Sequence, residues 1–209
     1  MSLRILIIDD HVAVQRGLQE ILSGSFKTAE FGQASNVHDA LNTVQKTPWD
    51  VAVVDLNMPG RGGLELIKTA KEMQPKLRVL VYSMHSEKHF GLRALKAGAD
   101  GYLMKDSPAE EIVKAVRGLV DAGQYISPEL AAAMAQSVRG DGTDTDRLSD
   151  REYEVLQKIA SGKCPSEIAE EMALSIKTVS TYRARLLEKL NLRTTAELIR
   201  YAIEQGVCR

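Results

Sequence analysis

The sequence predicts a doubly wound parallel α/β domain followed by a small all-α domain of four helices. Three observations carry this. Four short apolar runs (3–8, 51–54, 77–82 and 102–104) alternate with stretches of helical spacing, as buried parallel strands do. Each run ends in a polar residue: Asp9-Asp10, Asp55, Ser83 and Lys105. Beyond Leu148 no strand-like run remains, and every apolar pattern is helical.

The elements follow in order. After the first strand, Val14, Leu18, Ile21 and Leu22 mark one apolar helix face. A weakly patterned second strand is expected over 28–34, and Val37, Leu41 and Val44 mark a helix closed before Pro48. Residues 50–55 form the third strand. Asn57-Met58-Pro59-Gly60 forces a turn, since Pro fixes φ and Gly tolerates positive φ. Leu64, Ile67 and Met73 lie on a third helix, and Pro75 separates it from the fourth strand. Phe90, Leu92 and Leu95 form a fourth helix ending near Gly98. After the fifth strand, Ser107-Pro108 opens a fifth helix with Pro at its first position. Five strands alternating with five helices in about 120 residues is a flavodoxin-like order. An alanine-rich helix over 129–138 and a segment without apolar residues, 139–146, then predict a flexible linker. The expected division is 1–121, a linker with a short helix at 122–147, and 148–209.

In the last segment, Val155, Leu156 and Ile159 mark one helix. Ile168, Ala169 and Met172 mark a second, shorter one. Val179, Tyr182, Leu186, Leu187 and Leu190 mark a third, and Leu198, Ile199, Ala202 and Ile203 a fourth. The connector 173–175 has the length of a helix-turn-helix.

At 44% hydrophobic and 26% charged, the 209-residue chain can bury two ordinary cores. Net charge is −1, so only the distribution of charge bears on a nucleic-acid partner. No apolar run approaches the roughly 18 residues that span a bilayer, and the N-terminus lacks the pattern of a secretory signal. A cytoplasmic location without membrane association is expected. Cys164 and Cys208 then read as free thiols. His11, His38, His85 and His89 show no zinc-binding spacing and read as surface or pocket-rim residues.

In a doubly wound sheet, ligands sit at the carboxyl edge of the strands. There the predicted order gathers three carboxylates, a hydroxyl and a lysine. Carboxylates suit a hard cation such as Mg²⁺. Lysine and a hydroxyl suit phosphoryl oxygens. Asp55 is the candidate phosphoacceptor. Asp9 and Asp10 are candidate Mg²⁺ ligands, with Asp55 sharing the ion and Asn57 offering its backbone carbonyl. Three carboxylates and a phosphoryl group crowd together only if a dication offsets them. Lys105 adds positive charge, and Ser83 donates to the phosphoryl oxygens once Asp55 is modified.

Residues 1–121 resemble response-regulator receiver domains, through ILIIDDH, VVDLNMPGRGGLELI, VYSMH and AGADGYLMKD. The resemblance implies phosphotransfer to Asp55 from a sensor histidine kinase or phosphotransfer protein. It also implies a switch in which Ser83 moves toward the phosphoryl group and Tyr102 turns inward. From the residues alone, Tyr102 reads equally as a buried aromatic. A phosphatase with an aspartyl nucleophile is the rival from another class. It needs a second acid two residues after the nucleophile, where Asn57 stands. A receiver that no longer takes phosphate is the other alternative.

Residues 176–193 carry Lys177, Arg183, Arg185, Lys189 and Arg193 against Glu188 alone, whereas 148–209 as a whole has ten basic and nine acidic residues. Positive charge is therefore concentrated on one helix, which suits a DNA backbone. Ser180, Thr181 and Ala184 lie off its apolar stripe and are small enough for base edges to approach. Residues 148–209 resemble the LuxR-type helix-turn-helix of the NarL/FixJ class, through LSDREYEVLQKIASGK, SEIAEEMALSIKTVSTYRARLLEKL and AELIRYAIEQG. This resemblance implies base contact near Ser180, Thr181 and Ala184. It implies phosphate contact from Lys177, Thr178, Tyr182, Arg183, Arg185 and Lys189, and makes Glu154 a structural acid paired with a basic side chain. Two positions depart from the pattern: Ser180, where Lys or Asn is frequent, and Cys164-Pro165, where Ser/Thr-Asn is usual. The expected protein is a transcriptional regulator that binds double-stranded DNA as a homodimer when phosphorylated.

Overall fold

The computed structural model describes residues 2–58, 62–138 and 144–207. They fall into two compact units, 1–134 and 135–209. The first unit holds β1 (Arg4–Ile8), α1 (Val12–Ser25), β2 (Glu30–Ala34), α2 (Val37–Lys46), β3 (Val51–Val54), α3 (Gly63–Met73), β4 (Arg78–Ser83), α4 (Glu87–Lys96), β5 (Gly101–Met104) and α5 (Ala109–Ala122). All five strands are parallel, in the order β2-β1-β3-β4-β5.

Strand alternation sends successive side chains to opposite faces. Ile5, Ile7, Val51, Val53, Leu80 and Leu103 share one core cluster with Leu18 and Leu22 of α1 and with Ile112, Val116 and Leu119 of α5. Helices α2, α3 and α4 pack in series elsewhere on the sheet, α2 beside β2 and α4 beside β5. Burial on both faces explains why β1, β3, β4 and β5 lack polar alternation. Strand β2 lies at the sheet edge and is mostly half-exposed or exposed.

Several boundaries differ from the sequence expectation by one residue. Pro108 is the N-cap of α5, which starts at Ala109. Ser83 is the last residue of β4 rather than the first beyond it. The alanine-rich helix α6 (Pro128–Val138) begins at its proline. Before it, Tyr125 pairs with Gly101 beside β5. Ser127 donates to Glu87 at 2.6 Å and accepts from Leu130 N at 3.0 Å. Burial pushes the Glu87 carboxyl up, against the Ser127 hydrogen bond. The expected flexible linker falls partly on 139–143, outside the described residues; 144–147 form a turn of 3-10 helix.

The second unit contains α7 (Asp150–Ala160), α8 (Pro165–Glu171), α9 (Ile176–Lys189) and α10 (Thr195–Glu204). Helix α9 packs against α7 and α8, and α10 against α7 and α9. Ser149, Ser175 and Thr194 cap α7, α9 and α10 by accepting from the third residue on, which satisfies otherwise orphan N–H groups. Pro165 stands at the first turn of α8, where no backbone donor is lost. Ala173 turns the chain between α8 and α9 at φ 52°, in the left-handed region. No described helix is long and apolar enough to cross a membrane.

Candidate functional site

In this sheet the order of winding reverses between the parallel strands β1 and β3, which places the ligand crevice at their carboxyl ends. Register builds the site. Ile8 pairs with Val54, so Asp9 and Asp55 leave adjacent strands together. Asp9 N donates to Ala34 O and Asp55 N to Ile8 O, which extends the ladder by one residue on each side. Both side chains are buried, at 1% and 2% exposure. Two buried carboxylates side by side require a cation. Lys105, just past β5, supplies it: Nζ lies 2.6 Å from Asp9 Oδ2 and 2.8 Å from Asp55 Oδ2.

The electrostatics follow from burial. Desolvation raises the Asp55 pKa, opposed by hydrogen bonds from Lys105 and from Asn57 N. For Lys105, desolvation works against the charge, but its bonds to Asp55 and Asp9 outweigh it and push the ammonium pKa up. The resting site is therefore an ion triad, with one lysine charge against two acids.

Ligand-bearing atoms of Asp9, Asp10, His11 and Asp55 all lie within 4.8 Å of one another. Asp10 Oδ1 is buried with no hydrogen-bond donor, although His11 Nδ1 stands 2.8 Å away. A carboxylate oxygen that makes no hydrogen bond, beside two further acids, fits a hard divalent cation. The expected ligands Asp9, Asp10 and Asp55 are thus brought together. Asn57 directs its N–H to Asp55 Oδ1 at 3.1 Å.

Ser83 and Tyr102 belong to the same edge. Ser83 O accepts from Lys105 N at 2.9 Å, and the fully buried Ser83 side chain accepts from His85 N at 3.3 Å. Tyr102 is fully buried, and its hydroxyl donates to His85 O at 2.9 Å.

Two further residues, His11 and Gln15, line the pocket. His11, expected at a rim, is indeed exposed, yet its ring faces the acids. Gln15 is 2% exposed and donates to Asp9 O at 2.7 Å and Ala34 O at 2.9 Å, tying β1 to β2 below the site. A signal existed: Gln15 falls on the apolar stripe with Leu18 and Leu22, where a polar residue must find internal partners.

The second candidate surface is α9. Val179, Leu186 and Leu190 are buried, whereas Ile176, Lys177, Ser180, Thr181, Arg183, Ala184 and Arg185 are exposed; Thr178 and Tyr182 are half-buried. Arg183 reaches Thr195 Oγ1 at 3.2 Å. Lys189, expected to contact phosphate, instead donates to Glu152 at 2.7 Å. Glu152 is buried, and an unpaired buried carboxylate would be costly, so the Lys189 ammonium is held against it. Glu154, the expected structural acid, pairs with Arg151 at 2.9 Å, but the more deeply buried acid is Glu152. The sequence carried the cue in Ser149-x-x-Glu152, a capping box that fixes the carboxylate at the helix start.

Fold and sites together combine an acidic, lysine-bridged pocket on a doubly wound sheet with a separate four-helix unit whose α9 carries exposed basic side chains. The family models agree. Residues 5–117 match the response regulator receiver domain, and residues 146–202 match the bacterial regulatory proteins of the luxR family. The chain belongs to the response regulators, as a DNA-binding transcriptional regulator with a receiver and a LuxR-type domain. Response regulator UvrY of Escherichia coli is 33% identical, over 99% of this chain and 96% of its own length. Response regulator GacA of Pseudomonas aeruginosa is 35% identical, over 98% and 97%. Among solved structures, RcsB from Salmonella enterica serovar Typhimurium, bound to promoter rprA with the phosphomimetic BeF3⁻, aligns with TM-score 0.71 at 26% identity, covering 96% of this chain and 98% of that one.

Proposed function

We propose that Asp55 accepts a phosphoryl group from a histidine kinase or phosphotransfer protein, and that the modified receiver promotes DNA binding by the second domain as a homodimer. The carrying observation is the Lys105 ammonium held between Asp9 and Asp55 at the switch point of the sheet. In the transfer, an Asp55 carboxylate oxygen forms a bond to phosphorus as the bond from phosphorus to the donor's imidazole nitrogen breaks. Asp9, Asp10 and Asp55, with the Asn57 carbonyl, would hold Mg²⁺, which when bound offsets the charge of the crowded oxygens. Lys105 pairs with a phosphoryl oxygen, and Ser83 donates a hydrogen bond to another. Asp55 is buried at a fixed strand end, so positioning supplies much of the acceleration.

The output side rests on α9. Lys177, Thr178, Tyr182, Arg183 and Arg185 contact phosphates, and Ser180, Thr181 and Ala184 face base edges. Lys189 serves as a structural cation for Glu152. Two such helices in a dimer read half-sites about one helical turn apart, or a multiple of that. The RcsB complex, with promoter DNA and BeF3⁻, is consistent with this order of events. A regulator that acts on the genome would do so in the cytoplasm, the location this reading gives the protein.

The test is incubation of the full-length protein with acetyl phosphate and Mg²⁺, followed by intact mass and DNA-binding measurements. The wild type gains one phosphoryl group and binds DNA more tightly. Asp55→Asn gains neither. Phosphoryl incorporation by Asp55→Asn at the wild-type level removes Asp55 from this role.

A further inference from the structure

The face of α9 proposed to meet base edges is poor in hydrogen-bond donors. Ile176, Ser180 and Ala184 follow one another four residues apart, so they form a single row along the helix, with Thr181 beside it. All four are exposed; Ser180, Thr181 and Ala184 turn away from the buried Val179 and Leu186, and Ile176 stands at the edge of that apolar stripe. The Thr181 hydroxyl donates to Lys177 O at 3.0 Å, so its proton is already engaged by the helix. None of the four is an Arg, Asn or Gln able to grip a purine with two bonds. At the N-terminal end of the row stands Ile176, the first residue of α9 and 55% exposed, one of the few large aliphatic side chains presented to water among the described residues.

In helix-turn-helix proteins the N-terminal residues of the recognition helix enter the major groove. The apolar group displayed there is the thymine C5 methyl. We infer that Ile176 reads the methyl group of a thymine in each half-site, which makes it a specificity-determining residue of this regulator. The inference rests on the proposed docking of α9 in the major groove. It defines a preferred ligand class: duplexes with a thymine facing the helix N-terminus, recognised by apolar contact, with phosphate contacts from the basic side chains supplying sequence-independent affinity.

The experiment uses the full-length protein and a duplex that it selects from a random-sequence DNA pool. Each thymine is replaced in turn by deoxyuridine, which lacks the methyl group and keeps the hydrogen-bonding pattern. Wild-type affinity should fall about fourfold at one thymine per half-site, the factor expected for one buried methyl group. Ile176→Ala should bind the unmodified duplex more weakly and show no loss at that thymine, whereas Ile176→Leu should keep the sensitivity. Because Ile176 is exposed, thermal unfolding should be unchanged in both variants. Indifference of the wild type to every replacement overturns the inference, as does an Ile176→Ala variant as sensitive as the wild type. If Arg183→Ala together with Arg185→Ala leaves duplex binding unaltered, the docking of α9 itself falls, and the inference with it.

Discussion

The hydroxyl of Tyr102 donates a hydrogen bond of 2.9 Å to the main-chain carbonyl of His85. This joins a fully buried β5 side chain to the loop leaving β4, two residues beyond Ser83. The same loop is fixed from below, because the His85 ring stacks on Phe90 of α4 with centroids 4.4 Å apart. A phosphoryl group that draws Ser83 therefore pulls on a segment that Tyr102 holds. Tyr102→Phe keeps the ring and removes the bond. It should cost about 1 kcal/mol of stability. It should leave acetyl phosphate labelling of Asp55 intact and shrink the gain in DNA affinity that labelling produces. Titration of labelled and unlabelled variant on one duplex checks this; an undiminished gain would detach Tyr102 from the switch.

Lys105 occupies the same carboxylates that would hold the proposed Mg²⁺. Lys105→Met removes the resident charge from between Asp9 and Asp55. Mg²⁺ affinity measured by calorimetry should then rise about tenfold, since one nearby positive charge no longer repels the ion. Phosphoryl transfer should slow, because the cation facing the phosphoryl oxygens is gone. Chelation by EDTA should abolish labelling in the wild type. Mg²⁺ affinity unchanged in Lys105→Met would separate the lysine from the ion's site.

Glu152 and Lys189 connect pH to the stability of the second unit. Burial by itself would raise the Glu152 pKa; bonds from Lys189 and Ser149 overcome this and leave it lowered from the ordinary value of 4.5. A carboxyl whose folded pKa lies below its unfolded one stabilises above the unfolded pKa, and that stabilisation is lost as pH falls through the folded value. Glu152→Gln should therefore cost about 2 kcal/mol at neutral pH. The difference from wild type should narrow as pH drops below about 4.5. Urea unfolding of both proteins across this range measures it; a pH-independent difference would assign the role of Glu152 to capping alone.

Much of this site was legible because burial leaves a mark on sequence. Strands β1, β3, β4 and β5 are enclosed on both faces, so they appear as apolar runs whose ends locate Asp9, Asp55, Ser83 and Lys105. Edge strand β2 is half-exposed and accordingly faint. Side-chain partnerships across long separations leave no such mark. The pairing of Lys189 with Glu152, 37 residues apart, depends on how α9 packs against α7. Spacing gave Lys189 the look of another phosphate-facing lysine and held no sign of its pairing with Glu152. Gln15 is the same case in the first unit: its role appears only once Ala34 and Asp9 have been brought together by the sheet.

The Lys189–Glu152 pair makes the salt dependence of DNA binding a sharp test of the α9 surface. Each phosphate neutralised by a basic side chain releases counterions and adds about 0.9 to the magnitude of the slope of log affinity against log salt. Arg183 and Arg185 are exposed on the helix, and neither has a carboxylate partner among the ion pairs of the described residues. Arg183→Ala with Arg185→Ala should lower the slope by about 1.8 per protomer and weaken binding to all duplexes by similar factors. Lys189→Met is the internal control. Its ammonium serves Glu152, so it should destabilise the second unit while leaving the slope of the folded protein within experimental scatter. A slope that falls by about 0.9 in Lys189→Met would mean that the lysine leaves Glu152 for phosphate on the duplex. A slope unmoved by the double arginine change would take α9 out of the DNA interface.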